Sequence, residues 1–186
     1  MKKYFGLSAL LFFFTAVAYA HGPVRQDTDE TITINAPADK VWGIIKNYGD
    51  MSWHPAIKST DIKGGNEKGA VRVLTLQDGG TITEELKKYD DVKLTYSYKI
   101  TDMSTAKTIT HAGQEEKVPV VPVGNYSATI SLEPQGETTI VRWKAGYYRA
   151  YTNNNPPEEM NETAANAAIK NIFTSGLNNL KALAEK

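Results

Sequence analysis

Residues 35–57, reading NAPADKVWGIIKNYGDMSWHPAI, join a strand, a helix and an aromatic elbow with almost no spacer, and few folds begin that way. Just before them Thr31, Ile32, Thr33 and Ile34 alternate polar and apolar, as a half-buried strand does. Pro37, with its fixed φ and missing N–H, suits a first helical turn, and Asp39 sits where the helix dipole favours negative charge. Val41, Ile44, Ile45 and Tyr48 then recur at helical spacing. A short helix with one apolar face must cover something, and the rest of the chain supplies strands and one late helix.

The strands are read from parity. Val92, Leu94, Tyr96, Tyr98 and Ile100 alternate with Lys93, Thr95, Ser97, Lys99 and Thr101, the period of a strand with one dry face. Tyr126, Ala128, Ile130 and Leu132 repeat the pattern, as do Val141, Trp143, Ala145 and Tyr147. The inward faces therefore carry Tyr96, Tyr98, Tyr126, Trp143 and Tyr147, which either fill a core or wall a ligand site. Asp78-Gly79-Gly80 marks a hairpin, glycine supplying the positive φ of a tight turn. With those three residues as the loop, Gln77 opposes Thr81 and Leu74 opposes Glu84. Arg72 and Glu84 become diagonal neighbours on the buried face, as a structural strut or as the polar end of a ligand site. A slip of one residue would expose both.

A last helix is expected over residues 158–184, opened by Pro157, Glu158 and Glu159, with Ala165, Ile169, Ile172, Gly176, Leu180 and Leu183 on one face. Residues 101–124 are the least regular stretch. They end in the run Val118-Pro119-Val120-Val121-Pro122-Val123, which reads as an edge strand or as an exposed arm. As an exposed arm, Val118, Val120 and Val121 would bind a partner; packed down, they would be architecture.

This order of strand, helix, several strands and long helix resembles the helix-grip fold of the START and Bet v 1-like (SRPBCC) superfamily, which includes polyketide cyclase-like proteins. The resemblance runs from residue 29 to the C-terminus. It implies an α+β domain, a curved antiparallel sheet of about seven strands wrapped around a C-terminal helix, with an internal cavity. Five segments are similar to the MxaD-type periplasmic accessory proteins of methanol oxidation: His21-Gly22-Pro23, Trp53-His54-Pro55, Asp78-Gly79-Gly80, Pro122-Val123-Gly124-Asn125-Tyr126 and Asn154-Asn155-Pro156-Pro157. That resemblance implies a non-enzymatic helper at the meeting of a quinoprotein methanol dehydrogenase with its cytochrome c acceptor.

Lys2 and Lys3, the apolar run at residues 7–18 and Ala18-Tyr19-Ala20 form a secretory signal, so residues 1–20 are expected to be removed and the product to be periplasmic. Residues 21–28 are then expected as a flexible leader and 29–186 as the domain. The apolar run is too short to span a bilayer and the chain has no Cys, so neither a membrane anchor nor a disulfide is expected. Removing Lys2 and Lys3 from 21 basic residues leaves 19 against 21 acidic ones, which argues against nucleic acid as a partner.

The three histidines, His21, His54 and His111, show no metal-site spacing, and no metal or cofactor is expected. An N-terminal His21 would offer copper an amine and an imidazole, as a minor option. His54, between Trp53 and Pro55, is either an acid–base residue with Glu84 or Tyr96 as partner, or a corner-filler bonded to a backbone carbonyl. Three functions remain open. The first is the accessory role; the second is a carrier of a small hydrophobic ligand, with Trp53, His54, Arg72, Glu84, Tyr96, Tyr98, Tyr126, Trp143 and Tyr147 around the cavity. The third is an enzyme of the polyketide cyclase and dehydratase type, using His54, Arg72, Glu84 and the tyrosines.

Overall fold

A computed structural model describes residues 22–186. The expected signal segment and His21, with its copper option, lie outside the described residues. The elements in chain order are β1 (Gln26–Ile34), α1 (Ala38–Ile45), β2 (Ile57–Lys63), β3 (Val71–Leu76), β4 (Thr81–Asp90), β5 (Thr95–Met103), β6 (Thr105–His111), β7 (Gln114–Pro119), β8 (Val123–Gln135), β9 (Thr138–Arg149) and α2 (Glu162–Ala184). Seven strands make one antiparallel sheet in the order β1-β9-β8-β5-β4-β3-β2, and β6 and β7 form a separate ribbon. Register breaks between β2 and β3, β4 and β5, and β8 and β9 bend the strands locally, so the sheet can curl around α2. This is the expected helix-grip architecture.

β1 begins inside the stretch expected as a leader. Gln26 lies opposite Tyr147 and Thr28 opposite Ala145. Buried Thr28 shares a 2.6 Å hydrogen bond with the Tyr147 hydroxyl. Residues 26–28 are thus strand, held by a partner far along the chain. In α1, Pro37 is the N-cap rather than the first helical residue, and its carbonyl accepts from the Lys40 and Val41 N–H groups. Val41, Ile45 and Tyr48 are buried as expected. Trp42 joins them, with its indole N–H donated to Asp91 Oδ1 at 2.7 Å.

The hairpin of β3 and β4 keeps its expected parity but not its expected register. Thr75 pairs with Thr81, Leu74 with Ile82 and Arg72 directly with Glu84. The loop takes in Leu76 and Gln77 as well, closed by Leu76 N–H to Gly80 O at 2.8 Å and Gly79 N–H to Leu76 O at 3.0 Å. A slip of two residues preserves the face to which every side chain points. Arg72 and Glu84 are therefore cross-strand neighbours, not diagonal ones.

Two other expectations fail. β5 starts at Thr95, not before: Leu94 takes φ 50°, Lys93 N–H bonds the Asp90 carboxylate at 3.0 Å, and Val92 is 93% exposed. Residues 101–124 are not an irregular loop. After the end of β5, β6 and β7 pair across Ala112-Gly113, whose φ values of 49° and 78° are those a two-residue hairpin turn demands. Val118 and Val121 are buried and Val120 is half-buried. The exposed apolar arm does not exist, because the chain leaving β7 is held down: Val120 N–H donates to Ser104 O at 3.1 Å and its side chain packs at Gly80.

α2 starts at Glu162, later than expected. Residues Glu158–Met160 form a separate 3-10 turn, and the Asn161 side chain caps the helix by accepting from Ala164 N–H at 2.8 Å. Ala165, Ile169, Phe173, Gly176, Leu177, Leu180 and Ala184 are buried, while Ile172 is only half-buried. Phe173 stacks on Trp143 with ring centroids 4.3 Å apart. Among the described residues no helix is long and apolar enough to cross a membrane.

Candidate ligand cavity

Between the concave face of the sheet and α2 lies a cavity of about 270 Å³. β3, β4 and β5 contribute Leu74, Leu76, Ile82, Glu84, Tyr98 and Ile100, and β8 and β9 contribute Tyr126 and Trp143. Ala168, Ile169 and Ile172 of α2 form the opposite wall, and Met51, His54, Ala56 and Ile57 close one end. Val120 and Val121 close another part of the wall. The half-buried or exposed members Ala56, Ile57, Leu76, Ile100, Val120, Ala168 and Ile172 mark the parts of the wall nearest solvent.

Of the residues expected around the cavity, His54, Glu84, Tyr98, Tyr126 and Trp143 line it, and Trp53, Arg72, Tyr96 and Tyr147 do not. Trp53 is buried against Trp143, ring centroids 5.6 Å apart, and its indole nitrogen has no hydrogen-bond partner among the described residues. Tyr96 packs between Tyr48 and Tyr98, 6.0 and 6.2 Å away. Tyr147 bonds Thr28 and Asn166 below the start of α2. Val120 and Val121, expected to meet a partner, line the cavity. Leu74, Leu76 and Ile82 share the parity of Arg72 and Glu84 along β3 and β4, and Ile100 that of Tyr96 and Tyr98 along β5, and that was their signal.

Arg72 stands behind Glu84. Its Nε donates to Glu84 Oε2 at 2.6 Å and its Nη1 to the Tyr48 carbonyl at 2.7 Å. Its guanidinium carbon lies 4.1 Å from the centre of the Tyr48 ring and 5.0 Å from that of Tyr98. Arg72 is 1% exposed and Glu84 5%. Burial disfavours the guanidinium charge, but Glu84 and the surrounding phenols more than offset this and hold Arg72 protonated. Burial pushes the Glu84 carboxyl above its ordinary value, against the pull of Arg72. Glu84 Oε1 accepts from no protein group among the described residues. Tyr98 receives the Trp143 indole N–H at 3.0 Å, and its ring lies 6.2 Å from that of Tyr126; burial raises both phenols.

His54 is a corner residue. Ala56 N–H donates to Nδ1 at 3.2 Å, which leaves the proton on Nε2 to be given to the Ile172 carbonyl at 3.0 Å. Burial lowers its pKa, only partly opposed by the Ile172 bond. With both ring nitrogens engaged, the neutral imidazole ties the elbow to α2, and no hydrogen bond joins it to Glu84 or Tyr96 among the described residues. Gly176 makes the contact possible: a Cβ there would come within 2.5 Å of His54 Cδ2. No cluster of three metal-binding side chains occurs among the described residues.

Among solved structures, the chain is similar to an uncharacterised protein from Bacillus thuringiensis at 24% identity, covering 87% of this chain and 100% of that one, with a TM-score of 0.66. It is similar to the protein XoxI from Bacillus cereus at 26% identity, covering 84% and 93%, with a TM-score of 0.63. The ZhuI aromatase/cyclase from Streptomyces sp. R1128 matches at 16% identity over 87% and 94%, with a TM-score of 0.62. At these identities the likeness speaks for the SRPBCC, Bet v 1-like fold. No curated protein matches the sequence. The family model described as polyketide cyclase / dehydrase and lipid transport matches residues 25–185, nearly the whole described chain. The chain therefore belongs to the polyketide cyclase / dehydrase and lipid transport family.

Proposed function

We propose that this protein is a single-domain binder of a small, mainly apolar molecule held between the sheet and α2. The wall of the cavity carries the reading: about 270 Å³ bounded by aliphatic and aromatic side chains, with its polar groups confined to His54, Glu84, Tyr98 and Tyr126. Cyclase chemistry is less well served, since His54 is locked between two backbone groups and Glu84 is tied to Arg72. Calorimetric titration with indane, a compact hydrocarbon, tests the reading. Binding by the native protein is expected, with a loss of at least tenfold in Ala168→Phe, whose ring fills the space while the thermal midpoint holds. Failure of the native protein to take up indane, or equal uptake by the filled variant, overturns it.

A second reading is favoured by the five short segments that resemble the MxaD type. In it the protein is exported by way of residues 1–20 and assists a quinoprotein methanol dehydrogenase at its cytochrome c. With Val118 and Val121 buried, that role needs a contact surface other than the apolar arm. Recovery of a product beginning at His21 from the periplasm, bound to the dehydrogenase, supports this reading; a cytoplasmic product retaining Met1 overturns it.

A further inference from the structure

We infer that the cavity selects a neutral compact molecule bearing one hydroxyl or N–H donor, and that the free oxygen of Glu84 receives that donor. The inference rests on the ligand-binding reading above and names the class of ligand. Glu84 lines the cavity and is 5% exposed, and its carboxylate uses one oxygen, Oε2, on Arg72. Oε1 accepts from no protein group among the described residues. The buried side-chain atoms without a partner among the described residues are Tyr48 Oη and Trp53 Nε1, so Oε1 is not sealed in but opens onto the cavity. An occupant that displaces water from Oε1 without supplying a donor loses that hydrogen bond, so an occupant that supplies one is favoured over an occupant that cannot.

The sign of the charge decides between neutral and cationic donors. Arg72 already neutralises Glu84, so an ammonium ligand would bring an unbalanced charge among Leu74, Ile82 and Ile100. A carboxylate ligand would face Glu84 itself, with the guanidinium behind it and out of the wall. A hydroxyl suits both sides, because the Tyr126 phenol, which also lines the cavity, can return a hydrogen bond to its oxygen. Size narrows the class further. A cavity of about 150 Å³ accommodates benzene, so this one, at about 270 Å³, admits roughly ten non-hydrogen atoms. That is a substituted or bicyclic ring or a medium-chain alcohol, rather than a long acyl chain.

Three probes of one shape, indane, 1-indanol and 1-aminoindane, test this on the native protein by calorimetry at neutral pH. 1-Indanol is expected to bind at least about tenfold more tightly than indane, the gain of a hydrogen bond to a charged acceptor, and more tightly than protonated 1-aminoindane. Equal binding of indane and 1-indanol overturns the donor assignment while leaving the ligand-binding reading intact. Tightest binding by 1-aminoindane shows a cation site and overturns the neutral one. Binding of none of the three overturns both readings together. In Glu84→Gln, where indane binding reports that the cavity is intact, the advantage of 1-indanol is expected to fall below threefold; an advantage that persists moves the acceptor away from Glu84. Should Glu84→Gln not fold, the native series decides the matter alone.

Discussion

Arg72 and Glu84 form an ion pair almost without water, flanked by the rings of Tyr48 and Tyr98. Removing one member strands the other, so Arg72→Met or Glu84→Leu alone is expected to cost about 3–5 kcal/mol. The double variant should lose clearly less than the sum, because it leaves no orphan charge. Urea denaturation of the four proteins measures this, and additive losses would show that the pair is not coupled. His54 gives a different signature. Its pKa is lowered in the folded protein from an ordinary value of 6.5, so below that value the unfolded chain binds more protons. Stability is therefore expected to fall as the pH drops through about 6.5. In His54→Gln that fall should vanish over the same window, even though its midpoint at neutral pH is lower. An equal slope in both proteins would assign the effect to other groups. Arg72 and Glu84 could be seen in the sequence as inward charges, since parity fixes the face. That Arg72 stands behind Glu84, out of the cavity, depends on the rings of Tyr48 and Tyr98, which local spacing does not express.

α2 shows propensity and packing pulling in opposite directions. Alanine is favoured over glycine in a helix by about 1 kcal/mol, yet Gly176→Ala is expected to lower stability by about 1–3 kcal/mol. Its new Cβ would lie 2.5 Å from His54 Cδ2 and 2.9 Å from Trp143 Cζ3. Thermal unfolding checks the sign, and a raised midpoint would mean that the His54 ring can retreat. The spacing of three and four placed Gly176 on the buried face but not Phe173, whose ring stacks on Trp143. The ribbon of β6 and β7 was hidden for a local reason. Ala112 occupies a positive-φ turn position where asparagine or glycine is the usual signal, and Pro119 lies within β7. Because the ribbon exists, residues 118–123 are led back to the sheet, where Val120 packs against the turn at Gly80.

For the molecule as a whole, a ligand that enters only the folded state should stabilise it by mass action. At a hundred times its Kd, 1-indanol or indane is expected to add about 2.7 kcal/mol, read as a concentration-dependent rise in thermal midpoint. No rise for a ligand that calorimetry shows to bind would mean that the unfolded chain binds it too. Outside β2 and the ribbon, the order of elements and the inward aromatic faces were legible because period and parity are local. The cavity's volume and the split between Tyr98, which lines it, and Tyr96, which does not, arise from contacts between residues far apart in the chain. The sheet order carries a further consequence, one of timing. β1 and β2 are consecutive strands yet occupy opposite edges, and among the described residues β9 is the only strand paired with β1, with Ile34 opposite Thr139 and Gln26 opposite Tyr147. The first strand cannot join the sheet until nearly the last strand is available, a long loop that must close before it is rewarded. Folding is therefore expected to take milliseconds to seconds, as in other β-rich domains with distant pairings. Until β9 arrives, β1 is an open edge that can pair with the wrong chain.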